Sequence, residues 1–197
     1  MLTMPLFSFA AVIIPVPFTS QAPSGNWAQP WQDFCEEASV AMAVHFLWKA
    51  PLTPSFAETE MQIIKQYEQI VFGDYKDTTA DQTASILKNL FGFKHIRIRS
   101  VSVSADIKKE LSAGNIVIVP TAGRMLKNPY FTPPGPLYHM LVVRGFDEVK
   151  HTFITNDPGT RKGNGLAYDQ EVLVRAIHDW NAGDVLNGEK NVIVVGR

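Results

Sequence analysis

The sequence predicts an α+β domain in which helices come first and a mostly antiparallel sheet follows. Three observations carry this. Residues 38–48 (ASVAMAVHFLW) are apolar on nearly every side, the mark of a helix buried between other elements. Capping residues open two more helical stretches, at Ser55 and at Thr78 or Thr79. From His95 onward, short alternating or apolar runs recur between turns, as strands do.

Residues 5–17 (PLFSFAAVIIPVP) form an apolar stretch too short to span a bilayer. No positive charge precedes it in residues 1–4, which argues against an export signal and leaves a degenerate or truncated one as the rival reading. Its prolines break a helix, so residues 11–16 are expected as the first strand. Residues 17–30 are loop-like, with Pro, Ser, Gly and Asn. Asp33 and Glu36 then form a D-x-x-E pair, with Asp33 as N-cap of the buried helix that ends before Pro51. The second helix runs to about Phe72 and the third to Phe91 and Gly92. Residues 95–101 alternate as a strand, Ser104 caps a short helix to Ser112, and residues 116–119 are a buried strand. Residues 124–137 are a Pro/Gly-rich loop. Residues 138–145 and 152–156 read as two strands joined by a polar turn, residues 168–180 as an amphipathic helix, and residues 191–196 as a last strand.

A length of 197 residues suits a single domain spanning 1–197, with residues 1–13 as a candidate N-terminal extension. Apolar content of 46% with 18 basic against 19 acidic residues describes a soluble globule and argues against a nucleic-acid partner, since no basic patch stands out. No segment reads as transmembrane, and the absence of a convincing export signal favours the cytoplasm. One cysteine excludes an internal disulfide.

That cysteine, Cys35, carries the chemistry. At a helix N-terminus a thiol faces the positive end of the macrodipole and free backbone N–H groups, which favour the nucleophilic thiolate. A hydrolase also needs a base. His45 lies ten residues along the same helix, about 15 Å away by helical rise, and reads as a hydrogen-bonded core residue. His151 sits in a polar turn, His178 near a helix end, and His95 has no evident acidic partner. His139 opens the strand YHMLVV, and Asp157 ends the next strand, FITND. A hairpin closed around Glu148 would set them opposite each other, where an Asp orients an imidazole. The bland alternative is a strand-end His and a turn-forming Asp before Pro158 and Gly159.

An oxyanion needs donors. The Cys35 backbone N–H is one, and Gln21, Gln29 and Gln32 are placed to supply a second. Arg124, Arg161 and Lys162 flank the expected site as candidate carboxylate binders or as plain solubilising charges. Trp27, Trp31, Tyr130 and Phe131 line a cleft or belong to the core.

These residues resemble the C39-like cysteine peptidases of the papain-like superfamily. The matching segments are residues 17–23 (PFTSQAP), 35–39 (CEEAS), Gly135 to His139 with Val142 to Asp147, and 156–160 (NDPGT). The resemblance implies a papain-like fold, with the cysteine on a central helix packed against the sheet. It implies Cys35 as nucleophile, His139 as base, Asp157 as orienter and Gln21 as oxyanion donor, with Gln29 as rival. Two departures stand out. Many members read Cys-Gly-Pro, whereas this chain reads Cys-Glu-Glu, whose carboxylates oppose a thiolate unless Glu36 turns away to cap backbone N–H groups. The transmembrane helices of exporter-fused members are also missing.

The expected activity is hydrolysis of a peptide or amide bond through a thioester acyl-enzyme, on a peptide or protein substrate and without a cofactor. The alternative is a non-catalytic peptide-binding module on the same fold. Zinc held by Cys35, His139 and Asp157 is disfavoured, because no second Cys or paired His is available.

Overall fold

The computed structural model describes residues 10–197. The part of the apolar N-terminal stretch before Ala10 lies outside these residues. Helices α1 (Cys35–Trp48), α2 (Pro54–Val71) and α3 (Ala80–Ser85) come first, apart from a short strand β1 (Ala11–Ile13). Strand β2 (Ile96–Ser100), helix α4 (Ser104–Ser112) and strands β3 (Ile116–Ala122), β4 (Tyr138–Asp147), β5 (Thr152–Asn156) and β6 (Asn164–Asp169) follow. Helix α5 (Gln170–Ala176) and strand β7 (Asn191–Val195) complete the order.

The strands form one sheet in the order β2-β7-β3-β4-β5-β6, with β1 paired to β4 and every pairing antiparallel. Helix α1 is buried from Cys35 through Phe46 and packs on β4. Burial of each large apolar side chain such as Met42, Val44 and Phe46 contributes about 1.5–3 kcal/mol, so tertiary packing rather than an amphipathic stripe fixes this helix.

Several local expectations are corrected. Asp33 does not cap α1. It ends a tight turn over Trp31–Asp33, and its carboxylate accepts from Gln29 Nε2 at 2.7 Å and meets Lys76 Nζ at 3.1 Å. Phe34 occupies the cap position without a side-chain bond. Thr53, not Ser55, caps α2, because Pro54 fits the first helical position. Thr79 and Gln82 form a reciprocal capping box at α3, which continues as a π-helical turn over Ile86–Leu90. Val103 rather than Ser104 precedes α4, where Asp106 accepts from the backbone of Ser102 and Val103.

The helix expected over 168–180 is shorter. Asp169 caps it by accepting from Val172 N, and Tyr168 belongs to the unexpected strand β6, paired opposite Phe153. The β4–β5 hairpin also departs from the expected register. Its ladder runs from Asp147↔Thr152 through a bulge at Arg144 to Val142↔Asn156. Extended, that register sets Asp157 opposite Leu141, a diagonal rather than a direct neighbour of His139.

Candidate active site

A cleft of about 790 Å³ separates the N-terminus of α1 from the start of β4, within the size range of ligand pockets. Gln21, Cys35 and His139 all line it, as do Trp27, Phe131 and Gly159. Residues more than a hundred positions apart meet here because α1 lies across the strand that His139 opens.

His139 is buried, and its Nε2 is 2.7 Å from Asp157 Oδ1. The diagonal arrangement therefore still joins them, and it leaves Nδ1 as the ring nitrogen without this partner. Gly159 donates its backbone N–H to the same Oδ1 at 2.9 Å. The other oxygen, Oδ2, accepts from Asn128 Nδ2 at 3.0 Å and from the Tyr168 hydroxyl. Burial pushes the Asp157 carboxyl up, but His139, Tyr168 and Gly159 outweigh it and hold the group below its ordinary range. The Tyr168 hydroxyl is itself pushed up, by burial and by the adjacent carboxylate.

Asn128 and Tyr168 were not foreseen as site residues. Asn128 stands in an Asn-Pro turn, where the short amide has a local role to play, and it does accept from Tyr130 N at 2.8 Å. Tyr168 lay inside a presumed helix. The His139 ring is flanked by Phe131 in an edge-to-face contact with centroids 5.1 Å apart. Gly159 is needed for this closeness, since a Cβ there would lie 2.9 Å from His139 Cε1 and 2.7 Å from the Phe131 ring.

Cys35 begins α1, as expected, and is 7% exposed. Its sulfur donates to Glu36 Oε2 at 2.9 Å, so the Glu36 side chain does not turn away from the sulfur. Burial raises the thiol pKa well above its ordinary value, with Glu36 and then Glu37 adding to it; the backbone N–H of Met140, next to His139, pulls the other way. The helix dipole loses to desolvation and a neighbouring carboxyl. Glu36 itself is pushed up to about 8, chiefly by burial.

The glutamines separate. Gln21 is buried in the cleft wall; its Nε2 donates to Trp31 O at 3.1 Å and Gln32 O at 2.6 Å, and its backbone N–H reaches Pro158 O at 2.9 Å. Gln32 also lines the cleft, whereas exposed Gln29 is occupied with Asp33 and the Tyr75 hydroxyl. Arg161 and Lys162 line the cleft; Arg124 does not, lying instead toward Gly135 O at 3.4 Å. Trp27, Tyr130 and Phe131 face the cleft, while Trp31 packs edge-on against Phe34.

The remaining histidines lie elsewhere. His45 is a core residue held by Pro51 O at 2.8 Å and Glu60 at 3.1 Å, and His95 and His151 are exposed. His178 lies just past α5, beside Ala176 O. Among the described residues no cluster of three or more His, Cys, Asp or Glu side chains is arranged to hold a metal ion, and no helix is long and apolar enough to cross a membrane.

This fold is shared with a solved structure described as a candidate C39-like peptidase from Bacillus anthracis. That structure superposes with a TM-score of 0.60 over 95% of this chain and 98% of the other, at 15% identity. At that identity the likeness speaks to the fold, which is papain-like. No curated protein sequence matches the chain. The model of the Peptidase_C39 like family matches residues 13–182, most of the chain, and on that match the protein belongs to the Peptidase_C39 like family.

Proposed function

We propose that the protein is a cysteine peptidase-like hydrolase that cleaves a peptide or amide bond through Cys35, His139 and Asp157. The observation that carries this reading is the buried His139–Asp157 pair, whose His139 lines the same cleft as the only thiol of the chain. Asp157 holds Nε2, so Nδ1 is the nitrogen that takes the Cys35 proton. The thiolate attacks the substrate carbonyl carbon, and the C–N bond breaks as His139 returns the proton to the leaving amine. Water, deprotonated by His139, then cleaves the thioester and frees the thiol. The Cys35 backbone N–H and the Gln21 amide serve the oxyanion, for which Gln21 gives up one of its two carbonyl partners.

A second reading rests on one bond. The Cys35 proton is held by Glu36, an arrangement that suits an inert thiol and a peptide-binding module. The two readings differ in thiol reactivity. Iodoacetamide alkylation of Cys35 is followed from about pH 4 to about pH 10, in wild type and in His139→Ala. The hydrolase reading expects His139 to lower the inflection against the burial and the Glu36 carboxyl that raise it, so that the inflection moves to higher pH in His139→Ala. A slow thiol indifferent to His139 replaces it with the binding module.

A further inference from the structure

The cleft carries charges that the proposed chemistry does not use. On the sheet side, Arg161 and Lys162 stand in the loop between β5 and β6, just past the Asp157–Gly159 turn. Neither pairs with a carboxylate among the described residues. Both nevertheless have defined resting places. The Arg161 guanidinium lies over Gly25, where a Cβ would sit 3.2 Å from Nη2 and where φ is +82°. Lys162 Nζ lies 4.8 Å from the centre of the Tyr130 ring.

On the helix side, Asp77 lines the same cleft from the loop before α3. It is half-buried, and no hydrogen bond or ion pair engages its carboxylate among the described residues. Its carboxyl is pushed up by burial and by Asp33, with Lys76 opposing. The other acids of this wall are occupied, Asp33 by Lys76 and Gln29 and Glu36 by the Cys35 thiol. Trp27, Phe131 and Trp180 supply apolar surface in the same cleft.

Unpaired charges of opposite sign on two walls favour a ligand that brings the complement of each: exposed Arg161 and Lys162 attract an anion through partly screened charge, and half-buried Asp77 loses more if it is left unmatched. We infer that the cleft takes a short peptide bearing both charges, a carboxylate received by Arg161 and Lys162 and an ammonium or guanidinium group received by Asp77. A phosphate dianion fits less well, since it would face Asp77, Asp33 and Glu36 across the cleft. The inference rests on the cleft being the reactive site proposed above and names the substrate class that site takes.

The test uses the full chain and three methanethiosulfonate reagents of different charge, anionic sulfonatoethyl, cationic trimethylammonioethyl and neutral methyl, with each rate ratio compared between variant and wild type so that reagent size cancels. In each case the Cys35 thiolate attacks the sulfenyl sulfur, a disulfide forms and methanesulfinate leaves, so rate ratios cancel the intrinsic reactivity of the thiol. The double variant Arg161→Gln, Lys162→Gln lowers the anionic-to-neutral ratio by about fivefold and does not lower the cationic-to-neutral ratio; Asp77→Asn lowers the latter by about threefold. Salt at about 1 M erases these differences. The exchanged pair Arg161→Lys, Lys162→Arg keeps the wild-type ratios. Ratios unmoved by the neutral variants overturn the inference. A failed hydrolase reading shows itself differently, as slow reaction with all three reagents alike. Tetra-alanine with free ends binds the Cys35→Ser protein at least about fivefold more tightly than the end-blocked peptide; equal binding overturns the assignment to a zwitterionic peptide.

Discussion

Replacing Glu68 by Gln is expected to stabilise the protein more and more as pH rises. Glu68 on α2 and Glu37 on α1 are both fully buried and meet each other, and no other side chain hydrogen-bonds to either carboxyl. Burial pushes Glu68 up to about 9, with the neighbouring Glu36 adding to it; burial and then Glu68 raise Glu37 likewise. The folded state thus holds a proton on Glu68 that the unfolded chain releases near 4.5. Between those values the folded state binds more protons, so stability is fully present below the unfolded pKa and is lost as pH rises toward the folded one. Each pH unit costs about 1.4 kcal/mol per carboxyl. Gln has the same shape and no charge to acquire, so the stability gap between Glu68→Gln and wild type grows by about 3 kcal/mol from about pH 5.5 to about pH 8. Loss of a like charge beside Glu37 acts in the same direction. Urea unfolding at several pH values measures the gap. Thermal melts report it too, as a shift of roughly 6–10 °C at the alkaline end and little at the acid end. Parallel stability curves for variant and wild type would refute the reasoning, since they would mean that Glu68 ionises alike in both states.

Four further outcomes follow from the site. Glu36→Gln removes both a charge and the carboxylate that accepts the thiol proton, so the alkylation inflection of Cys35 moves to lower pH; an unchanged or higher inflection contradicts the assigned cause. Asp157→Asn leaves His139 without its anionic partner and strands the Tyr168 hydroxyl, and it should reduce stability by about 1–3 kcal/mol in urea unfolding. Tyr168→Phe, which keeps the His139 contact, should cost less in the same measurement. Gly159→Ala drives a methyl group into the His139 and Phe131 rings, and substrate turnover or Cys35 alkylation should fall at least about tenfold while the fold, read by circular dichroism, persists.

Much of this was legible from local patterns. The apolar run after Cys35 demanded a buried helix, and the strands at 138–145 and 152–156 followed from β-branched runs between turns, so Cys35, His139 and Asp157 stood at the ends of elements before any contact was known. A resemblance carried the choice of Gln21 over Gln29, and the cleft is lined by Gln21 and Gln32 but not by Gln29, so both of the former stay candidates for the oxyanion. The Asp33 cap, the hairpin register and the helix at 168–180 were misread because each was decided by distant partners. Lys76 draws Asp33 away from the helix end, a bulge at Arg144 shifts the ladder, and Phe153 recruits Tyr168 into a strand.

The sequence by itself determined where a nucleophile, a base and an acid could stand, because hydrophobic period and turn chemistry are local. Only the tertiary structure decided what each experiences. Desolvation and through-space charge depend on neighbours from remote segments, and they made Cys35 a thiol bound to Glu36, kept Asp157 ionised against its burial and left Asp77, Arg161 and Lys162 unpaired around one cleft.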